Sequence, residues 1–219
     1  MKYQRVSASA IAAEPGLEHW RFLLGMIRAT YRTGSFPAAT ALAMRVADAA
    51  EAAVHHPDID VRYPDRVIVT LTTHEVQGVT DADVAMARTI SSLAAATGAV
   101  HEPGVDVAFE LGIDAIDAAA IKPFWRAVLA YVDSPDGALV DPLRLGPRVW
   151  FQQMDAPRPQ RNRIHVDVSV AHDVAEARVA EALAAGGVMV NESFARAFWV
   201  LADAEGNEAC VCTWMDRDD

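Results

Sequence analysis

Apolar positions along this chain recur with two spacings, and the switch from one to the other lays out its elements. Between Leu17 and Arg32, Trp20, Leu23, Leu24 and Ile27 fall at helical spacing. Ser35 is a fitting N-cap with Pro37 inside the first turn. A helix is predicted from there to about Val54, with Phe36, Ala39, Leu42, Val46, Ala50 and Ala53 on one face, and Pro57 ends it. Residues 66–73 are β-branched with period two and predict a strand. Val67, Val69 and Leu71 share one face; Ile68, Thr70 and Thr72 share the other, which His74 continues. Gly78 marks a turn. Thr80 and Asp83 have capping-box spacing, and a helix is predicted to about Thr97 with Val84, Ala87, Ile90 and Ala94 inward.

Residues 98–104 hold two glycines and a proline and predict a domain boundary, giving domains 1–103 and 104–219. Beyond it one order of elements occurs twice. A strand over 105–113 leads through Asp117 into an amphipathic helix over 118–131. A strand over 164–170 leads through Asp173 into a helix over 174–185 that stops at Gly186-Gly187. Strand-like segments follow at 148–153 after the first helix and at 187–190, 197–202 and 208–214 after the second. This order predicts a tandem βαβββ repeat. The fold class expected is α+β: a small antiparallel sheet with helices on one face, then paired βαβββ modules forming a cupped sheet around a cavity.

Composition adds limits to this layout. The formal net charge of −11 divides into −2 on residues 1–103 and −9 on residues 104–219, as expected of two units with separate histories. An acidic surface repels phosphate backbones, so no nucleic-acid partner is expected. No apolar run approaches the ~18–20 residues that span a bilayer, so no membrane partner is expected. Met1–Ala13 lacks the pattern of a signal peptide. Cys210 and Cys212 stand too close together for a disulfide framework, and a reducing cytoplasm is the expected compartment.

The candidate chemistry lies in one segment, where His55 and His56 follow a helix end and His74 stands at a strand end. Turns on a rigid scaffold present reactive side chains. If the two ends pack together, three imidazoles converge on one pocket and can both give and take protons near neutrality. Two other readings stay open on spacing alone. Paired histidines before a proline can cap a helix C-terminus. Two adjacent histidines and a distant third can hold zinc, with Asp58 or Glu75 as a fourth ligand.

Glu51, His55-His56-Pro57, Tyr63, Thr73-His74-Glu75, Gly78 and Asp83 together resemble the signature of the pterin-4a-carbinolamine dehydratase family, over roughly residues 15–97 with Trp20 and Phe36 upstream. The stretch from Tyr63 to His74 is one residue longer than the family pattern, and the extra residue is expected in the hairpin loop at Pro64-Asp65. The resemblance implies a hydro-lyase that removes water from a reduced pterin bearing a 4a-hydroxyl, with no metal or redox cofactor. It implies His55, His56 and His74 as catalytic: His55 and His74 as the acid–base pair, His56 holding substrate. Glu51, Thr72, Thr73, Glu75 and Asp83 are the implied pterin-binding residues. Asp83 also has a purely structural reading as partner of Thr80 in the capping box, and Trp20 reads as core. The resemblance further implies a homo-oligomer, and a non-enzymatic dimerisation or coactivator-type role as the alternative.

Residues 105–215 resemble the glyoxalase-like branch of the glyoxalase/extradiol-dioxygenase superfamily, through the two Asp-led strand–helix units, FWRAVLAY, VWFQQMDAPRPQRNRIHVDV and LADAEGNEACV. The resemblance implies small-molecule binding or assembly, with lyase, isomerase or drug-binding activity as the alternative. No metal is expected. The positions where the superfamily carries ligands fall on Glu110, His165 and Cys210, the last replacing the usual carboxylate. Arg158, Arg161 and Arg163 form a basic island, read as a solvated loop.

Overall fold

The computed structural model describes residues 3–102, 104–108, 110–157, 166–213 and 215–216, and the chain folds as two units, Met1–Ala108 and Phe109–Asp219. Residues 104–108, which the sequence places beyond the boundary, are tied to the first sheet. The Thr30 hydroxyl donates to Asp106 Oδ1 at 2.7 Å and the Arg28 guanidinium donates to the Val107 carbonyl at 2.8 Å.

In the first unit, helix α1 (Ala8–Ala13) starts at Ser7, whose hydroxyl accepts from Ala10 N–H at 3.2 Å. The next segment is a hairpin, strands β1 (Arg21–Leu23) and β2 (Met26–Arg32), not the helix that its apolar spacing suggests. The turn chemistry decides this. Leu24 (φ 48°) and Gly25 (φ 82°) are both left-handed, the conformation that a two-residue hairpin loop demands. Strand β2 then buries Ile27, Ala29 and Tyr31 with period two.

Helix α2 (Phe36–Ala53) forms as predicted, with the Ser35 hydroxyl accepting from Ala38 N–H at 3.3 Å. Ala39, Leu42, Val46 and Ala50 are buried; Phe36 and Ala53, at its two ends, are exposed. Strands β3 (Asp58–Arg62) and β4 (Arg66–Leu71) follow, then α3 (Asp81–Ala96) and β5 (Val100–His101). The antiparallel sheet runs β1-β2-β4-β3, with β5 paired to β2. One core joins Ile27, Tyr31, Val67, Val69 and Leu71 of the sheet to the inward faces of α2 and α3. Strand β4 ends at Leu71, so His74 does not continue its face. It opens a 3-10 turn, His74–Val76, because Thr73 pairs with Gly78 across the loop.

The second unit repeats one module. In the first copy β6 (Glu110–Ala115), α4 (Ala118–Leu129), β7 (Val132–Asp133), β8 (Leu139–Val140) and β9 (Arg148–Gln153) give the sheet order β6-β9-β8-β7. In the second, β10 (Val166–Ser169), α5 (Ala175–Ala184), β11 (Val188–Asn191), β12 (Phe198–Ala202) and β13 (Glu208–Cys212) give β10-β13-β12-β11. In each, the first strand lies parallel to the last, Glu110 opposite Arg148 and Val166 opposite Ala209. Strands β7 and β8, two residues each, are too short to leave a period in the sequence. Strand β6 starts at Glu110 rather than 105, and residues 164–165 of the predicted 164–170 strand lie outside the described residues.

Asp117 caps α4 by accepting from Ala119 and Ala120 N–H. Asp173 does not cap α5, which starts one residue later behind Val174. The two helices share a core of Ile121, Phe124, Trp125, Val179 and Ala182 with Val149, Leu201 and Val211 of the sheets. Gly187 makes that packing possible: a Cβ there would lie 2.5 Å from Phe124 Cδ2.

Candidate active site

Helix α2 ends on Val54 in the left-handed region (φ 52°), and His55 N–H donates back to Ala50 O at 3.1 Å. This reversal turns His55 inward against α3. Its Nε2 lies 2.8 Å from Asp83 Oδ1. Asp83 is fully buried, and its other oxygen, Oδ2, accepts from Thr80 N–H at 2.7 Å and from the hydroxyls of Thr73 at 2.7 Å and Thr80 at 3.1 Å. The capping box and the imidazole contact therefore coexist, one on each oxygen of the same carboxylate. A carboxylate only accepts, so the proton of the neutral imidazole sits on Nε2 and the lone pair on Nδ1.

His74 is joined to this network through the chain. Thr73, whose hydroxyl holds Asp83, exchanges backbone hydrogen bonds with Gly78 at 3.0 and 3.4 Å, and the loop they close begins with the exposed His74. Glu75 is the next residue of that loop and is exposed. His56 faces solvent instead: its Nε2 lies 3.0 Å from Glu51 Oε2, with the two side chains 59% and 84% exposed. The Thr72 hydroxyl donates to Gly25 O at 3.0 Å, fixing the β1–β2 turn to the end of β4. Among the described residues no three His, Cys, Asp or Glu side chains are grouped so that they could hold a metal ion.

Tyr63 is 86% exposed at the far end of the β3–β4 hairpin and has no place beside His55. Trp20 is buried, and its indole N–H donates to Ser91 Oγ at 3.0 Å. Two residues that the sequence did not single out do reach this region. The Tyr3 ring centroid lies 6.4 Å from that of His55, and the Arg5 guanidinium donates to the carbonyls of Val76 and Gln77 in the His74 loop. Isolated before the first helix, neither belongs to a period or a spacing that marks a site.

A second titratable cluster gathers around His101 of β5. The His101 ring stacks on His19 at 4.6 Å, and its Nε2 lies 3.9 Å from Asp106 Oδ2. Both atoms are buried and without a hydrogen-bond partner among the described residues. Burial, followed by the nearby charges of His19 and Arg21, holds this imidazole below the ordinary histidine range, against the opposing pull of Asp106.

In the second unit two of the superfamily's three ligand positions, Glu110 and Cys210, are described. Glu110 Oε1 is held 3.3 Å from Arg148 Nε, and the same guanidinium pairs with Asp136. Burial, with Asp167 alongside, pushes the Cys210 thiol up to about 12, away from the thiolate that binds metal. His165 and the island of Arg158, Arg161 and Arg163 lie outside the described residues. A cavity of about 290 Å³ beside the start of α5 is lined by His172, Asp173, Arg196 and Trp199 among others. Trp199 belongs to the helix-facing core, so this cavity lies on the helix side of the sheet.

Residues 4–93 match the family described as Pterin 4 alpha carbinolamine dehydratase, and residues 110–212 match one described as Glyoxalase-like domain. A relative from Herpetosiphon aurantiacus is 44% identical over 77 residues, 35% of this chain and 79% of its own length. One from Roseiflexus sp. is 41% identical over 90 residues, 41% of this chain and 96% of its own. Both carry the name "Putative pterin-4-alpha-carbinolamine dehydratase". A solved transcriptional coactivator/pterin dehydratase from Brucella melitensis is 30% identical, covering 42% of this chain and 99% of its own, with a TM-score of 0.37. Through its first unit the chain belongs to the pterin-4-alpha-carbinolamine dehydratase family, with a glyoxalase-like domain following it.

Proposed function

We propose that the first unit is a hydro-lyase that removes water from a 4a-hydroxytetrahydropterin. The observation that carries this reading is the buried Asp83, which gives one oxygen to the fold and the other to His55. The reaction forms a C4a–N5 double bond as the 4a-oxygen leaves as water, so one group takes the N5 proton and another protonates the oxygen. His55, with its lone pair on Nδ1, is suited to be the base. His74, exposed on the loop behind Thr73, is suited to be the acid. His56, Glu51, Thr72, Thr73 and Glu75 border the pterin, with His56 holding it; Asp83 orients His55 rather than touching substrate. Each acid–base group contributes about 10²–10⁴-fold. The enzyme works as a homo-oligomer in the cytoplasm, and its glyoxalase-like unit serves small-molecule binding or assembly without a metal.

Turnover of carbinolamine generated in situ tests the reading. His55→Ala with His74→Ala is expected to reduce dehydration to the uncatalysed rate while circular dichroism stays unchanged. A folded double variant with wild-type turnover would overturn it.

A further inference from the structure

Residues 3–6 run as an extra edge along the segment behind His74. Val6 N–H donates to Val79 O at 2.9 Å and Asp81 N–H to Gln4 O at 3.0 Å, while Gln4 N–H donates to Asp81 Oδ1 at 3.1 Å. Arg5 forms an antiparallel bridge with Thr80, the residue that caps α3 and holds Asp83. Its guanidinium takes the carbonyls of Val76 and Gln77, the latter at 3.2 Å, at the close of the turn that opens on His74. This short edge thus touches both the catalytic loop and the cap of the orienting carboxylate.

Tyr3 adds an aromatic face beside His55. A pterin is a flat conjugated bicycle, and flat conjugated rings bind against aromatic faces. The aromatic residues of the family resemblance do not offer one. Trp20 is buried in the core, and Tyr63 stands at the far end of its hairpin. Phe36 opens α2, whose eighteen residues put it about 27 Å from the helix end that carries His55. Tyr3 stands beside His55, half-buried, with its ring tilted 47° to the imidazole.

We infer that residues 3–6 form a wall of the pterin site, with Tyr3 stacking on the pterin ring beside His55 and Arg5 acting as a positioning residue for the His74 loop. The inference rests on the dehydratase reading and adds to it a specificity-determining residue and a positioning residue. Its test uses the full chain, with carbinolamine turnover and fluorescence titration of a 7,8-dihydropterin. Tyr3→Ala is expected to raise KM and weaken dihydropterin binding about tenfold, the size of one aromatic stacking contact, with kcat within about twofold. Tyr3→Phe should bring KM back to within about twofold. Arg5→Ala should lower kcat about tenfold at little change in KM, with Arg5→Lys recovering part of the loss. Wild-type KM, kcat and binding in Tyr3→Ala and Arg5→Ala would overturn the wall and leave the dehydratase reading standing. So would losses that only track the unfolded fraction. A wild-type protein that neither binds the dihydropterin nor turns over the carbinolamine would overturn both.

Discussion

Asp83 in the first unit and Asp203 in the second are both buried carboxylates with four donors each, and they differ in one of those donors. Asp203 accepts from Trp125 Nε1 at 2.9 Å, from Asn207 Nδ2 at 2.8 Å, and from the N–H groups of Glu205 and Asn207 at 2.9 Å. All four are groups whose protons stay in place near neutral pH. Asp83 has three such donors and, as the fourth, the His55 imidazole, whose side chain keeps 12% of its surface exposed. A saturated buried carboxylate is a structural device wherever every partner is fixed. It becomes part of a reactive site when one partner can exchange a proton and reach a ligand.

The largest effect expected from this contrast is on Asp83→Asn. The amide keeps the volume but can offer His55 an N–H in place of an acceptor, and kcat should fall by about 10²-fold or more in a carbinolamine turnover assay. The matching change, Asp203→Asn, should leave turnover unchanged at 25 °C. It should cost the second unit about 2–4 kcal/mol in a denaturant titration, because buried donors lose their acceptor. A turnover loss in Asp203→Asn equal to that in Asp83→Asn would break the comparison. Glu110→Gln removes a carboxylate from a partly exposed ion pair and should change stability by less than about 1 kcal/mol.

The smallest effect concerns His101. Its folded-state affinity for protons is held below that of the unfolded chain, so the unfolded state binds more protons as pH falls below the ordinary histidine range. Stability contributed by the neutral ring is present above that range and is lost as pH drops through it. Thermal unfolding should show a decline in stability from pH 7.5 to 5.5 that His101→Gln lessens.

The sequence made some of this legible and hid the rest for physical reasons. Helices α2 and α3 were readable because Ser35, Thr80 and Asp83 mark their starts and long periodic faces follow. The second unit's repeat was readable because order survives where identity does not. The β1–β2 hairpin is hidden because four apolar residues happen to fit helical spacing, while the reversal rests on the single pair Leu24-Gly25. Asp83 is visible both as a cap and as a family position, but its contact with His55 through the oxygen that the cap leaves free joins residues 28 apart and has no local trace. Tyr3 and Arg5 were hidden because long-range pairing of an isolated segment leaves no local trace.

The parallel closure of each module sets a timetable for the emerging chain. Among the described residues β6 pairs with β9 alone, so it waits until Arg148–Gln153 has left the ribosome. Strand β10 waits in the same way for Glu208–Cys212. At about 5–20 residues per second, each opening strand stays unpaired for seconds while its own helix is already complete. The first unit's hairpin, by contrast, closes as soon as β2 is made. Translation speed across residues 110–153 and 166–212 therefore sets how long each opening strand waits for its partner.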